Sequence, residues 1–206
     1  MKRKVYVILL TLGMSSIVYG GGNYKPVPYI AVADDNSFYL GVGASRMILH
    51  NNATKEVFNS GAMMLQAGYQ FNPYVALEAR YTHSLGYIAY NHGKTKNSNN
   101  NKYSATFTNK GIYLKLMHQI GEFTPYILLG YGEVSFSKMP RGGAGVSATR
   151  TERGFQWGVG ASYKLTRKVS IFADYVNAYH GNGFDGRAKK VKVNSSMWTI
   201  GFTYRF

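Results

Sequence analysis

The sequence predicts an all-β fold: an eight-stranded, antiparallel, up-and-down transmembrane β-barrel. Three observations carry that expectation. Apolar and polar or small residues alternate with a period of two in segment after segment, which gives each extended segment one greasy face. The connections between segments alternate between short and long. The last segment, residues 197–206, sets Trp198, Ile200, Phe202, Tyr204 and Phe206 against Met197, Thr199, Gly201, Thr203 and Arg205. A soluble protein rarely finishes on so aromatic an edge, because it invites pairing with other chains. A barrel wall whose apolar face meets lipid has no such edge.

The N-terminus reads differently. Lys2, Arg3 and Lys4 precede an apolar run over residues 5–14 and a small-residue end at Gly20. That order describes a secretory signal peptide over residues 1–20, cleaved after Gly20. The run is too short to span a bilayer as a helix. Residues 21–36, with Pro26, Pro28, Asp34 and Asp35, read as an irregular periplasmic leader. The barrel then occupies residues 37–206.

Eight segments follow in order. Residues 37–47 place Phe38, Leu40, Val42 and Ala44 on one face. Residues 60–71 set Met63, Leu65, Ala67, Tyr69 and Phe71 against Met64, Gln66, Gly68 and Gln70. Residues 74–84 set Val75, Leu77, Ala79 and Tyr81 against Glu78, Arg80 and Thr82. Residues 104–120 set Ile112, Leu114 and Leu116 against Tyr113, Lys115 and Met117. The fifth, 125–136, is apolar on both faces, so its orientation stays open. Residues 154–165 set Phe155, Trp157, Val159, Ala161 and Tyr163 against Gln156, Gly158, Gly160, Ser162 and Lys164. Residues 169–179 set Val169, Ile171, Ala173 and Tyr175 against Ser170, Phe172 and Asp174. The eighth begins near Val191 and runs to Phe206. Each is long enough for a tilted crossing, which takes about 9–11 residues.

Short connections fall at 72–73, 121–124 and 166–168. Long polar ones fall at 48–59, 85–103, 137–153 and 180–190. An outer-membrane barrel sorts its connections in this way, with short turns in the periplasm and long loops outside. A soluble β-sandwich has no reason to.

Cysteine is absent, so disulfides and thiol chemistry are excluded. The net charge of +15 falls to +12 without Lys2, Arg3 and Lys4, and such a surplus points to an anionic partner. An exported chain with no basic helix and no zinc-binding pattern makes nucleic acid the least suitable one.

Several stretches resemble the small outer-membrane β-barrel superfamily of the OmpA-like barrel, the OmpX-like proteins and the neisserial opacity proteins. They are residues 74–81 after Asn72-Pro73, Thr124-Pro125-Tyr126 opening a strand, the Gly-rich 158–163, and the terminal 201–206. The resemblance covers about residues 37–206. It implies a bacterial outer-membrane location. It also implies that the terminal aromatics Phe202, Tyr204 and Phe206 act as a signal to the barrel assembly machinery. The sequence stops at the last strand, so the peptidoglycan-binding domain of full-length OmpA-type proteins, and its cell-wall anchoring, is not expected.

Glu78, Arg80, Lys115 and Asp174 sit mid-strand on the face opposite the lipid-facing residues. Facing lipid at midplane would cost a Lys or Arg about 2–4 kcal/mol. Pointing inward avoids that cost, and buried charges are paired. These four are therefore expected to form an interior network in a lumen that eight strands leave just wide enough for side chains. A conducting pore conflicts with that size.

Catalysis is not expected. His83 and Ser84 are adjacent and so lie on opposite faces of a strand. His180 has Asp185 nearby but no matching serine. The five histidines show no metal-ligand spacing. The Gly-x-Gly pairs lack the strand–turn–helix setting of a nucleotide loop. No cofactor or metal is expected.

The basic loops are the best binding candidates: Lys94, Lys96 and Lys102; Arg141 and Arg150; Arg187, Lys189 and Lys190. Any anionic surface attracts such a patch. The expected role is a non-enzymatic surface and structural protein whose loops contact lipopolysaccharide. The alternatives are an adhesin that binds acidic host glycans through its loops and a narrow porin-like diffusion channel.

Overall fold

The chain divides into Met1–Ala33 and Asp34–Phe206. The computed structural model describes residues 37–51, 56–86, 88–92, 101–103, 106–140, 147–182 and 192–206. The expected signal peptide, residues 1–20, and the expected leader, 21–36, lie outside the described residues.

The described residues form strands and turns: β1 (Ser37–Asn51), β2 (Glu56–Asn72), β3 (Val75–Ser84), β4 (Ile88–His92), β5 (Asn101–Tyr103), β6 (Thr106–Met117), β7 (Phe123–Pro140), β8 (Ser147–Lys164), β9 (Val169–Asn182) and β10 (Lys192–Arg205). All pairings are antiparallel. β2 pairs through residues 62–72 with β3 and through residues 56–59 with β4, so β3 and β4 make one wall strand. β5 pairs with β4 and β6 with β3, so these two make another. Eight wall strands result. β1 pairs with β10 on one side and β2 on the other, which closes the sheet and leaves no edge through the wall.

The alternation decides which face is which. Phe38, Leu40, Val42, Leu65, Leu77, Ile112, Leu114, Ile127, Trp157, Ile200 and Phe202 all point outward and are exposed. In water such a continuous apolar surface would drive association. Around a transmembrane barrel it is the lipid-facing belt, about 25 Å tall. Aromatic rings flank it. Phe38–Tyr69 and Tyr204–Phe206 lie 4.7 and 5.2 Å apart at the short-turn end. Trp157–Tyr175–Trp198 make a row higher up, at 5.9 and 4.9 Å.

The turns at one end are built by local chemistry. Asn72 Oδ1 accepts the N–H groups of Tyr74 and Val75. Thr166 Oγ1 accepts those of Lys168 and Val169. Both side chains mimic a backbone turn. Between β6 and β7, Ile120 and Phe123 bridge across Gly121, whose φ of 63° lies in the left-handed region.

One open question is resolved and one expectation changes. The fifth segment, apolar on both faces, resolves with Tyr126, Leu128, Val134 and Phe136 inward and Ile127, Leu129 and Tyr131 outward. The long connections are shorter than expected, because strands run on beyond the lipid belt. Residues 137–140 and 147–153 continue β7 and β8, and 88–92 and 101–103 are β4 and β5. These stretches mix polar and apolar residues with no sustained alternation, so no amphipathic pattern marks them as strand.

Candidate functional site

Glu78, Arg80, Lys115 and Asp174 converge inside the barrel. Arg80 Nε lies 2.5 Å from Glu78 Oε1, and Lys115 Nζ lies 3.2 Å from Glu78 Oε2. Arg80 Nη2 lies 2.7 Å from Asp174 Oδ2, as an ion pair without the alignment of a hydrogen bond. Two cations face two anions, so the layer is formally neutral. Burial of each charge is thereby offset by an opposite partner rather than left for water to screen.

Tyrosines complete the layer. Tyr39 O–H donates to Glu78 Oε2 at 2.6 Å, and Tyr126 O–H donates to Asp174 Oδ2 at 2.9 Å. Lys115 Nζ sits 4.1 Å from the centre of the Tyr126 ring, and the Arg80 guanidinium 5.7 Å from that of Tyr113. Both are cation–π contacts away from bulk water, where they count most.

One device places the tyrosines. In register, Tyr39 is opposite Gly68 and Gly68 is opposite Glu78. Tyr126 is opposite Gly160 and Gly160 is opposite Asp174. Each ring lies across the intervening glycine to reach a carboxylate two strands away. A Cβ on Gly68 would run into the Tyr39 ring, and one on Gly160 would meet Asp174 Cβ at 2.5 Å and Tyr126 Cζ at 2.7 Å. Glycine is required at both positions by this close approach.

Above the ionic layer, Tyr113, Asn109 and Gln156 share hydrogen bonds; Tyr113 O–H donates to Gln156 Oε1, and Gln156 Nε2 donates to Asn109 Oδ1 at 2.8 Å. Higher still the lumen turns apolar. Phe107 stacks on Phe136 at 4.0 Å, with Met47, Leu49, Val134 and Val193 buried in the same cluster. This apolar layer was not foreseen. Its inward positions are interrupted by polar ones in the sequence, and only the packing collects them.

The other singled-out residues fall as follows. Lys102 and Arg150 belong to β5 and β8 and not to loops, because the hairpins extend. Lys94, Lys96, Arg141, Arg187, Lys189 and Lys190 lie outside the described residues. Phe202, Tyr204 and Phe206 point outward, and Phe206 N–H donates to the Phe38 carbonyl at 3.0 Å. His83 and Ser84 are on opposite faces: Ser84 Oγ is inside, accepting the Phe107 N–H at 2.8 Å, while His83 meets Tyr81 outside. They make no catalytic pair. Asp185, the carboxylate near His180, lies outside the described residues. Among the described residues no group of His, Asp and Glu is arranged to hold a metal.

Sequence reasoning missed the outer wall above the belt. There Lys110, Glu133 and Arg153 stand opposite one another on β6, β7 and β8, all facing out. Arg153 Nε donates to Glu133 Oε2 at 2.8 Å, and its side chain remains 69% exposed. So exposed a pair adds little stability. The signal was available, since all three share the outward parity of Ile112, Tyr131 and Phe155.

Comparison with solved structures places the architecture. Neisserial surface protein A is 18% identical, with 82% of this chain and 97% of that one covered and a TM-score of 0.56. Ail of Yersinia pestis, solved with the heparin analogue sucrose octasulfate, is 16% identical over 84% and 99%, with a TM-score of 0.53. The outer membrane protein AlkL, solved in lipid bilayers, is 13% identical over 84% and 91%, with a TM-score of 0.56. These likenesses show a shared fold. No curated protein matches the sequence. The outer membrane protein beta-barrel domain matches residues 26–206, and with a closed eight-stranded wall, a lipid-facing belt and inward charges behind it, the chain belongs to that family.

Proposed function

We propose that this barrel is a surface and structural protein of the bacterial outer membrane that holds lipopolysaccharide by its phosphates. The observation that carries the reading is the row Lys110–Glu133–Arg153 on the outer wall, directly above Ile112, Tyr131 and Phe155. On this reading the row meets the phosphates of the outer leaflet, next to the apolar belt. Two cations against one carboxylate leave a net positive face, and Arg46, outward on β1, is a further exposed cation of the outer wall. The layered side chains of the lumen support a role carried by the outside of the wall rather than by transport.

Melting the refolded barrel with and without lipopolysaccharide tests this. Phosphorylated lipopolysaccharide is expected to raise the melting temperature, with the effect shrinking in 1 M salt, where the Debye length is about 3 Å. The shift should be much smaller with dephosphorylated lipopolysaccharide and in the variant Lys110→Gln/Arg153→Gln. Equal shifts in all three cases would remove the reading.

A second reading is an adhesin for acidic glycans, prompted by the heparin analogue bound to Ail and by the basic residues of the outer hairpins here. It expects heparin binding that is lost when Arg187, Lys189 and Lys190 are neutralised, with membrane integrity unchanged. A channel role expects single-channel conductance, which the buried side-chain layers do not favour.

The terminal aromatics complete the proposal. They face lipid beside the closing β1–β10 seam, where an assembly machine would meet the last strand. Deleting Phe206 is expected to reduce outer-membrane insertion in cells while leaving export intact. Normal insertion of that variant would count against an assembly signal.

A further inference from the structure

The short-turn mouth of the barrel holds a feature that lipopolysaccharide binding does not use. A vestibule opens there beneath the ionic layer, with about 60 Å³ of free space. A water needs roughly 10–15 Å³, so the space takes a few waters or one tetrahedral oxyanion. Its lining includes Lys115, Lys164, Arg167, Lys168 and Arg205 and, among the described residues, no carboxylate. We infer that this periplasmic vestibule is a binding site for a phosphate group.

The lining is chemically sorted. Lys115, buried, forms the floor; one of its neighbours is Glu78, at 3.2 Å, which partly offsets its charge. Lys164 and Arg205 have inward parity on β8 and β10, above the turn that carries Arg167 and Lys168. Lys168 also lies 5.8 Å from the Tyr204 ring, so it stands at the rim rather than deep inside. Arg205 gives one N–H to Gln70 Oε1 at 2.5 Å, out of the five its guanidinium carries. The hydroxyls of Thr124, Ser162, Ser170 and Thr203 complete the wall. Cations interleaved with hydroxyl donors suit an oxyanion, and a guanidinium fork matches phosphate geometry in particular.

The inward placement is what needs explaining. Wall strands at a membrane surface commonly carry outward cations that meet lipid headgroups. Here Lys164 and Arg205 point into the mouth, away from the headgroups that flank the outer wall, and among the described residues no side-chain carboxylate forms an ion pair with them. Like charges held together at the rim of a low-dielectric cavity repel one another, and a bound anion relieves that repulsion. The ligand chemistry is a phosphate group, whether on a free small molecule or on the headgroup of an anionic lipid reaching over the rim.

The test uses the refolded mature barrel in an uncharged, phosphate-free detergent, titrated with inorganic phosphate and followed by backbone amide NMR. Matched sodium chloride separates binding from screening. Saturable shifts are expected at the short-turn mouth, around Ser162, Ser170 and Thr203, with none at the outer rim. Lys164→Gln is expected to weaken the affinity roughly tenfold, about 1.4 kcal/mol. Lys110→Gln is expected to leave it unchanged. Arg167→Gln, on an exposed turn, gives a second variant that keeps the fold, and heat-modifiable gel migration verifies folding in each case. Shifts that also appear with chloride, that do not saturate, or that survive both vestibule variants overturn the inference. In nanodiscs, competition by phosphatidylglycerol but not phosphatidylcholine identifies a lipid headgroup as the source; phosphate binding unaffected by either identifies a free anion.

Discussion

Replacing Glu78 by alanine is expected to destabilise the refolded barrel by about 3–5 kcal/mol, because it strands two buried cations. Glu78 is fully buried and is the partner of both Arg80, at 2.5 Å, and Lys115, at 3.2 Å. It also accepts the Tyr39 hydroxyl. Removing it leaves Arg80 with Asp174 alone and Lys115 with the faces of Tyr126 and Tyr39 and the vestibule beneath. Equilibrium unfolding in denaturant, read by the heat-modifiable band or by tryptophan fluorescence, measures the loss. Combining Glu78→Ala with Lys115→Met removes one of the stranded cations, so the pair should cost less than the sum of the single changes, with a coupling of about 0.5–3 kcal/mol. A loss under about 1 kcal/mol for Glu78→Ala would mean that water also reaches Arg80, which lies above the vestibule, and the buried-network description would fall.

The second large effect is expected at Gly160. Gly160→Val places a branched side chain where a Cβ already meets Asp174 Cβ at 2.5 Å, Tyr126 Cζ at 2.7 Å and the Ala173 carbonyl oxygen at 2.8 Å. Tyr126 must leave Asp174, and the backbone of β9 must shift. Overpacking costs roughly 1–3 kcal/mol. The lost hydrogen bond to a charged group adds about 1.5–3 kcal/mol. Failure to refold, or a comparable drop in stability, is expected. Gly154 on the same strand is the control, since a Cβ there meets nothing within 4 Å. Gly154→Ala should be nearly neutral. If both variants behaved alike, the crossing of Tyr126 over Gly160 would not matter to the fold.

These two sites differ in how far they could be read in advance. Glu78, Arg80, Lys115 and Asp174 stand on the polar parity of segments whose other face is plainly greasy, so their inward direction follows from the alternation. Their partners do not follow from it. Tyr39 and Tyr126 act on carboxylates two strands away, through glycines whose positions matter only once three strands are in register. Tyr126 was harder still, because β7 is apolar on both faces and its alternation carries no direction. The same local logic missed the upper ends of β7 and β8. A strand outside the membrane needs no greasy face, so its hydrogen-bonded ladder continues with no hydrophobic mark.

What the sequence by itself determined is therefore the wall: eight crossings, the inward and outward faces of all but the fifth, the three short turns and the belt that meets lipid. Each is a local consequence of residue order. Side chains alternate because the strand backbone does, and Asn72 and Thr166 turn the chain with their own side-chain oxygens. What only the tertiary structure decided is the content of the lumen: which acid meets which base, the apolar layer around Phe107 and Phe136, and the basic vestibule closed by Lys164 and Arg205. Those depend on the register between strands distant in sequence. Register is set when the sheet closes between β1 and β10, and a slip there would exchange every inward neighbour.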